Sequence, residues 1–189
     1  MARPREFDTD QALDDVISVF WRKGFEGASL HDIEAATGLN KQSLYRLFPD
    51  KRSMYLAALE RYAREELEQA NKILSGGGDA KQRFQELFGG LVALAQAGKR
   101  SGCFLCNAAV DQAQLDKETK ALVNVSLKHV ERRFREALAQ SPPYQGNAER
   151  TAAMAALLMA AYFGVRVLTR ANAPLPIIRA AALEAVDKI

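Results

Sequence analysis

Cysteine is scarce, with two in 189 residues. Cys103 and Cys106 provide no disulfide framework, which fits a reducing, cytoplasmic setting. Histidine is equally scarce. His31 and His129 lie far apart in sequence, and no triad or complete zinc ligand set can be assembled. No phosphate-cradling loop is present, because Gly76-Gly77-Gly78 lacks a following Lys-Ser/Thr. The expectation is therefore no enzyme, no metal and no cofactor. Met1 to Asp10 is polar and lacks the apolar core of a leader. The most apolar run, Thr151 to Leu168, contains Gly164 and Arg166 and is marginal for a membrane span, so no membrane partner is expected. Strand alternation and internal repeats are absent, and the chain reads as all-α.

The informative stretch is Ser29 to Lys51. Ser29 caps a short helix, with Asp32 in capping-box position. Leu30, Ile33 and Ala36 supply the inward face. Gly38 ends it, since glycine takes a left-handed backbone without steric cost. Asn40 caps a second helix whose Leu44, Leu47 and Phe48 point inward. Its outward residues are Lys41, Gln42, Ser43, Tyr45 and Arg46, a surface suited to phosphates and base edges. Asp50 caps the next helix, leaving Lys51 and Arg52 in a first turn where the dipole disfavours cations. A nearby polyanion would remove that penalty. The stretch reads as a helix-turn-helix with the second helix as reader.

The pattern Ala28-Ser29-Leu30, Ile33-Glu34-Ala35-Ala36, Gly38-Leu39, Ser43-Leu44-Tyr45 and Phe48-Pro49-Asp50-Lys51, with Phe20, Gly24 and Phe25 upstream, resembles the DNA-binding domain of the TetR family of bacterial regulators. Leu47 departs from the family, which often has His or Tyr there, and is expected to pack. The resemblance implies a homodimeric transcription regulator on a palindromic double-stranded DNA operator, answering to a small-molecule effector. Ser29, Lys41, Gln42, Ser43, Tyr45, Arg46 and Lys51 are the expected DNA contacts. Charge gives this only local support. Residues 1–51 carry seven Lys or Arg against nine Asp or Glu, whereas Asn40 to Ser53 has four cations against Asp50 alone. Arg3 and Arg5 form a short arm able to reach phosphate or a minor groove.

Helical periodicity extends through the rest of the chain. Residues 9–23 form a helix closed by Gly24, and a long helix runs from Asp50 to Leu74. Further helices cover about 80–96, 103–112, 117–139 and 148–170, and a last one reaches Ile189. The domains expected are 1–54, a three-helix helix-turn-helix unit, and 55–189, a helical ligand-binding and dimerisation unit. The long helix joins the two. The helix over 148–170 is apolar nearly all round and needs cover from outside one small domain. Pairing with the helix over 117–139 and their two-fold copies would supply it, and the resemblance likewise implies dimerisation through the last two long helices. An effector pocket is implied by the resemblance, with Tyr62, Phe84, Phe88, Leu91, Phe104, Met159, Tyr162 and Phe163 as lining candidates. Ser101-Gly102-Cys103-Phe104-Leu105-Cys106-Asn107 is similar to a run in a subset of such regulators, some of which sense electrophiles or oxidants. Cys103 opens a helix, shares a face with Cys106 and follows Lys99 and Arg100, which favours its thiolate. Packing is the competing role for both thiols. A DNA-bound adaptor recruiting a protein partner is the third reading; a large bare apolar patch away from the dimer face would favour it, and an internal pocket would favour an effector.

Overall fold

The computed structural model describes residues 8–111 and 116–189, so the arm bearing Arg3 and Arg5 and the end of the helix predicted to reach Gln112 lie outside the described residues. Among the described residues nine helices follow in order: α1 Thr9–Gly27, α2 Leu30–Thr37, α3 Lys41–Leu47, α4 Lys51–Leu74, α5 Ala80–Gln96, α6 Phe104–Asp111, α7 Lys117–Ala139, α8 Ala148–Arg170 and α9 Leu175–Asp187. Local chemistry sets most of the ends. The carboxylates of Asp8, Asp50 and Asp79 and the amide of Asn40 accept from first-turn amides, while Ser29 and Asp32 close a reciprocal capping box. Gly38 ends α2 at φ 67°. The first helix closes at Gly24, as expected. The backbone breaks there at φ 70°, ψ 177° and resumes for one more turn to Gly27.

Two apolar cores share α4. The first packs Val16, Phe20, Ile33, Leu44, Met54, Tyr55, Leu59 and Tyr62 with Cys103, Phe104, Leu105 and Ala108. The core around the helix-turn-helix therefore continues past residue 54 and takes in α6. Phe20, Phe25 and Phe104 all meet Tyr55 edge-on at 5.2–5.4 Å. Ala36 is exposed, contrary to expectation, because an eight-residue helix offers little more than one buried stripe and Ile33 fills it. Leu47 and Phe48 are half-buried. The second core joins the end of α4 to α5, α7, α8 and α9 through Leu74, Phe84, Phe88, Phe134, Leu138, Tyr144 and Leu158. Arg83 is buried inside it. Its guanidinium donates to the carbonyls of Leu74 at 2.9 Å and Ala137 at 3.1 Å and to Gln140 Oε1 at 2.7 Å. The cation thus sits at the C-terminal ends of α4 and α7, where helix dipoles favour it.

α8 is long and apolar enough by composition to cross a membrane, yet it packs between α7, α5 and α9. Its uncovered stripe is Ala153, Ala156, Leu157, Ala160 and Val167, at i, i+3, i+4, i+7 and i+14. The bare face of the neighbouring α7 is mostly charged, including Lys117, Lys120, Lys128, Arg132 and Arg135. α9 instead adds Ile177 and Leu183, which are 52% and 57% exposed. The apolar surface left bare on one subunit is thus carried by α8 and α9, while α7 packs against α8 and turns Val123, Phe134, Ala137 and Leu138 into the subunit.

Candidate nucleic-acid interface and effector cavity

The reading surface is built from two capped helices on one core. Leu44 is fully buried against α1 and α4, which turns Lys41, Gln42, Tyr45 and Arg46 outward. Lys41 Nζ lies 5.7 Å from the Tyr45 ring centre, so these two share one face, while Gln42 and Arg46 share the next. Ser43 is half-buried, its amide donating to Asn40 Oδ1 at 2.9 Å. The Ser29 hydroxyl is already occupied. It accepts from the Asp32 amide at 3.1 Å and donates to Asp32 Oδ2 at 2.8 Å. Lys23 Nζ donates to the same carboxylate at 2.6 Å, and this bond with those from Ser29 holds the Asp32 carboxyl well below the usual range.

Lys51 and Arg52 stand side by side but do different things. Lys51 Nζ sits 4.6 Å from the Phe25 ring centre, with no carboxylate in reach among the described residues. Arg52 pairs with Asp116 and, at 3.2 Å, with Glu118. Those two residues open α7, so the dipole penalty on Arg52 is offset inside the protein and not by an outside polyanion. Sequence could not show this pairing, because Arg52 and Asp116 are 64 positions apart.

Above the reading unit, α4, α6, α7 and α8 line a partly open cavity of about 520 Å³. Its wall is largely apolar, with Leu67, Leu105, Leu122, Val130, Phe134 and Phe163, and polar groups from Tyr62, Glu66, Cys103, Ser126, His129 and Tyr162. Of the residues expected to line a pocket, Tyr62, Tyr162 and Phe163 do so. Phe84 and Phe104 are packed in the two cores, and Phe88, Leu91 and Met159 also lie outside this wall. α7 supplies the largest share of the missed wall, with α4 close behind. Its Leu122, Ser126 and His129 read as a mixed face whose polar members had no assigned partner.

One edge of the cavity is a polar knot. Arg166 donates to Tyr62 Oη and Tyr162 Oη, each at 2.9 Å, and pairs with Glu66. Burial pushes both phenols above their ordinary value. Cys103 caps α6, its carbonyl accepting from the Asn107 amide at 3.0 Å. Its thiol is buried and held below the ordinary value, chiefly by a hydrogen bond from Cys106, against desolvation and with help from Arg166. Cys106 is pushed the other way by that bond and by burial. Arg166 is thus the cation that acts on Cys103, and not Lys99 or Arg100. Arg100 donates instead to the Ala173 carbonyl at 3.2 Å.

Two capped helices crossing at a tight turn, with polar and cationic side chains on the outer face of the second, define a helix-turn-helix DNA-binding protein. The family profile described as bacterial regulatory proteins, tetR family, matches residues 13–58. The chain is 31% identical over 135 residues to an uncharacterised helix-turn-helix-type transcriptional regulator, YezE, of Bacillus subtilis, covering 71% of this chain and 70% of that one. It is 43% identical over 60 residues to the repressor ComR of Escherichia coli, covering 32% of this chain and 29% of ComR. A cysteine-substituted form of the TetR family regulator CifR, complexed with a 26-bp operator duplex, superposes with a TM-score of 0.86 at 25% identity, over 98% of both chains. The chain belongs to the TetR family of DNA-binding transcription regulators.

Proposed function

We propose that this regulator is a cytoplasmic homodimeric repressor, released from a two-fold symmetric operator when a small apolar molecule enters the cavity. The carrying observation is that the cavity is walled by the same α4 whose first turns, through Met54 and Tyr55, are buried with Ile33 and Leu44 of the reading helices. An effector that fits one arrangement of α4 better than another shifts operator affinity, and the operator shifts effector affinity by the same factor. Residues 1–54 read and residues 55–189 sense and dimerise. A cavity of this size and apolar character favours an effector over the adaptor reading. The test combines selection of bound duplexes with a melting-temperature screen of small apolar compounds. A symmetric site should be recovered. A compound that stabilises wild type should fail to stabilise Val130→Trp, which fills the wall, and should lower operator affinity. Failure to enrich any symmetric site overturns the operator half of the proposal. A compound that stabilises both proteins alike overturns the cavity half.

Within the reading unit, Lys41, Gln42 and Tyr45 face base edges. Ser43, Arg46 and Lys51 hold phosphates, with Ser29 contributing through its helix end. Gln42→Ala is expected to cost about 1–3 kcal/mol of discrimination at one base position. Lys51→Ala should weaken all sequences alike and lower the salt slope by about one. Duplex selection on both variants checks this, and an unchanged preferred sequence for Gln42→Ala would remove that residue from the readout.

A second reading has its own support: the Cys103 thiol, activated by Cys106 and Arg166, lies on the cavity wall. A peroxide would convert its thiolate to a sulfenic acid, and the Cys106 thiol would condense with that group, releasing water and forming a disulfide. Alkylation of Cys103 by iodoacetamide, followed against pH, should reach half its maximum below the ~8.5 of free cysteine. In Cys106→Ala the midpoint should rise, because the donor that favours the thiolate is lost. Equal midpoints in the two proteins would leave the thiols as packing residues.

A further inference from the structure

The end of α1, the turn between α5 and α6 and the end of α8 meet at the junction of the two cores. Arg22, Arg100, Ser101 and Arg170 surround an open hollow of about 390 Å³ there. None of the three arginines pairs with a carboxylate among the described residues. Backbone carbonyls hold them in place instead. Arg22 Nε donates to Ser18 at 3.1 Å, and Arg170 Nη1 donates to Trp21 at 3.2 Å and Ser101 at 3.1 Å. The guanidinium groups are therefore oriented without being neutralised.

A smaller cavity of about 60 Å³ lies next to them, lined in part by Trp21, Lys99, Gly102 and Arg166. The only carboxylate on either wall is Glu66, which is already paired with Arg166. Two buried N–H donors on this wall, Trp21 Nε1 and Arg166 Nε, find no acceptor among the described residues. Arg166 is only 8% exposed, so bulk water does not serve it.

We infer that this junction binds a small multivalent anion bearing phosphate, such as a phosphorylated metabolite. Guanidinium forks match phosphate oxygens in geometry as well as charge, and Arg22, Arg100, Arg170 and Lys99, four cations without a carboxylate partner among the described residues, need more than a monovalent ion. The inner cavity has room for one compact group that accepts from the two orphaned donors, and its size excludes a duplex. Trp21 and Arg22 belong to α1, which carries the reading helices, while the other residues belong to the sensing part. A bound anion would therefore fasten one to the other, at a place that adjoins the effector cavity through Glu66 and Arg166.

Trp21 is the chain's single tryptophan and reports on the site directly. Its fluorescence in the full chain should change saturably on titration with inorganic pyrophosphate at constant ionic strength. Arg22→Gln and Arg100→Gln should each raise the half-saturating concentration by about tenfold or more. Arg22 is exposed and hydrogen-bonds within its own helix, so its replacement spares the fold. Arg132→Gln on α7 should titrate as wild type does. The inference is overturned if potassium chloride gives the same change, or if the Arg22 and Arg100 variants saturate like wild type. It is also overturned if pyrophosphate is silent while those variants lower duplex affinity and salt slope, which would make the arginines part of the DNA interface.

Discussion

Arg166→Met is expected to destabilise the protein by about 3–5 kcal/mol, the range for removing one partner of a buried ion pair. The guanidinium is nearly enclosed, and its loss strands two buried phenols and the Glu66 carboxylate together. Methionine matches the stem in volume, so the loss is one of electrostatics and hydrogen bonding and not of a cavity. Glu66→Gln in the same background should recover part of the loss by removing the uncompensated charge. Urea unfolding of the two single variants and the double variant measures the coupling, which should exceed about 1 kcal/mol. Additive effects would show that Glu66 is solvated independently of Arg166. The effect should also reach the reading unit. Tyr62, held by Arg166, contacts Trp21 of α1 edge-on at 4.9 Å and Phe104 of α6 at 5.7 Å. A small-molecule effector that displaces Tyr62 from Arg166 would disturb the ring packed against α1.

Residues whose structural role is local could be read from sequence, and those whose role depends on distant neighbours could not. Ser29, Asn40 and Asp50 cap their helices because a side-chain oxygen and an amide two or three positions on are neighbours in any chain with that order. Gly38 ends α2 for an equally local reason. The family resemblance points to Tyr62, Phe84, Phe104 and Tyr162 as inward, and all four are buried. Periodicity carries no information on which inward faces mesh and which leave space. Phe84 and Phe134 close on each other at 5.0 Å, whereas Tyr62 and Phe163 stand at the edge of a void. Ion pairs across the fold, Arg52 with Asp116 and Arg166 with Glu66, are set by tertiary geometry alone. The same holds for α8. An apolar circumference shows that the helix must be covered, but only the packed fold distinguishes the side given to α7 from the side left bare.

That bare side should make Ala160→Asp the most damaging surface change in the chain. Ala160 lies within the exposed stripe running from Ala153 to Val167, and Ile177 and Leu183 of α9 are exposed as well. A single subunit leaves this surface in water. Two copies related by a two-fold axis would bury it reciprocally, with alanines allowing the α8 backbones to approach closely. An aspartate there enters the contact twice, once from each subunit, with no cation on the stripe to pair it. In the monomer the same side chain is exposed and should cost little, because it replaces no buried contact. The variant should therefore keep its helical content and unfold cooperatively, yet sediment as a monomer at micromolar concentration. Operator affinity should fall by about a hundredfold or more, because two linked reading helices become two independent ones on separate half-sites. Val125→Asp on α7, similarly exposed but at the mouth of the effector cavity, should remain dimeric. If Ala160→Asp sediments as wild type does and binds the operator unchanged, the subunits meet elsewhere. A Val125→Asp monomer would return α7 to the interface.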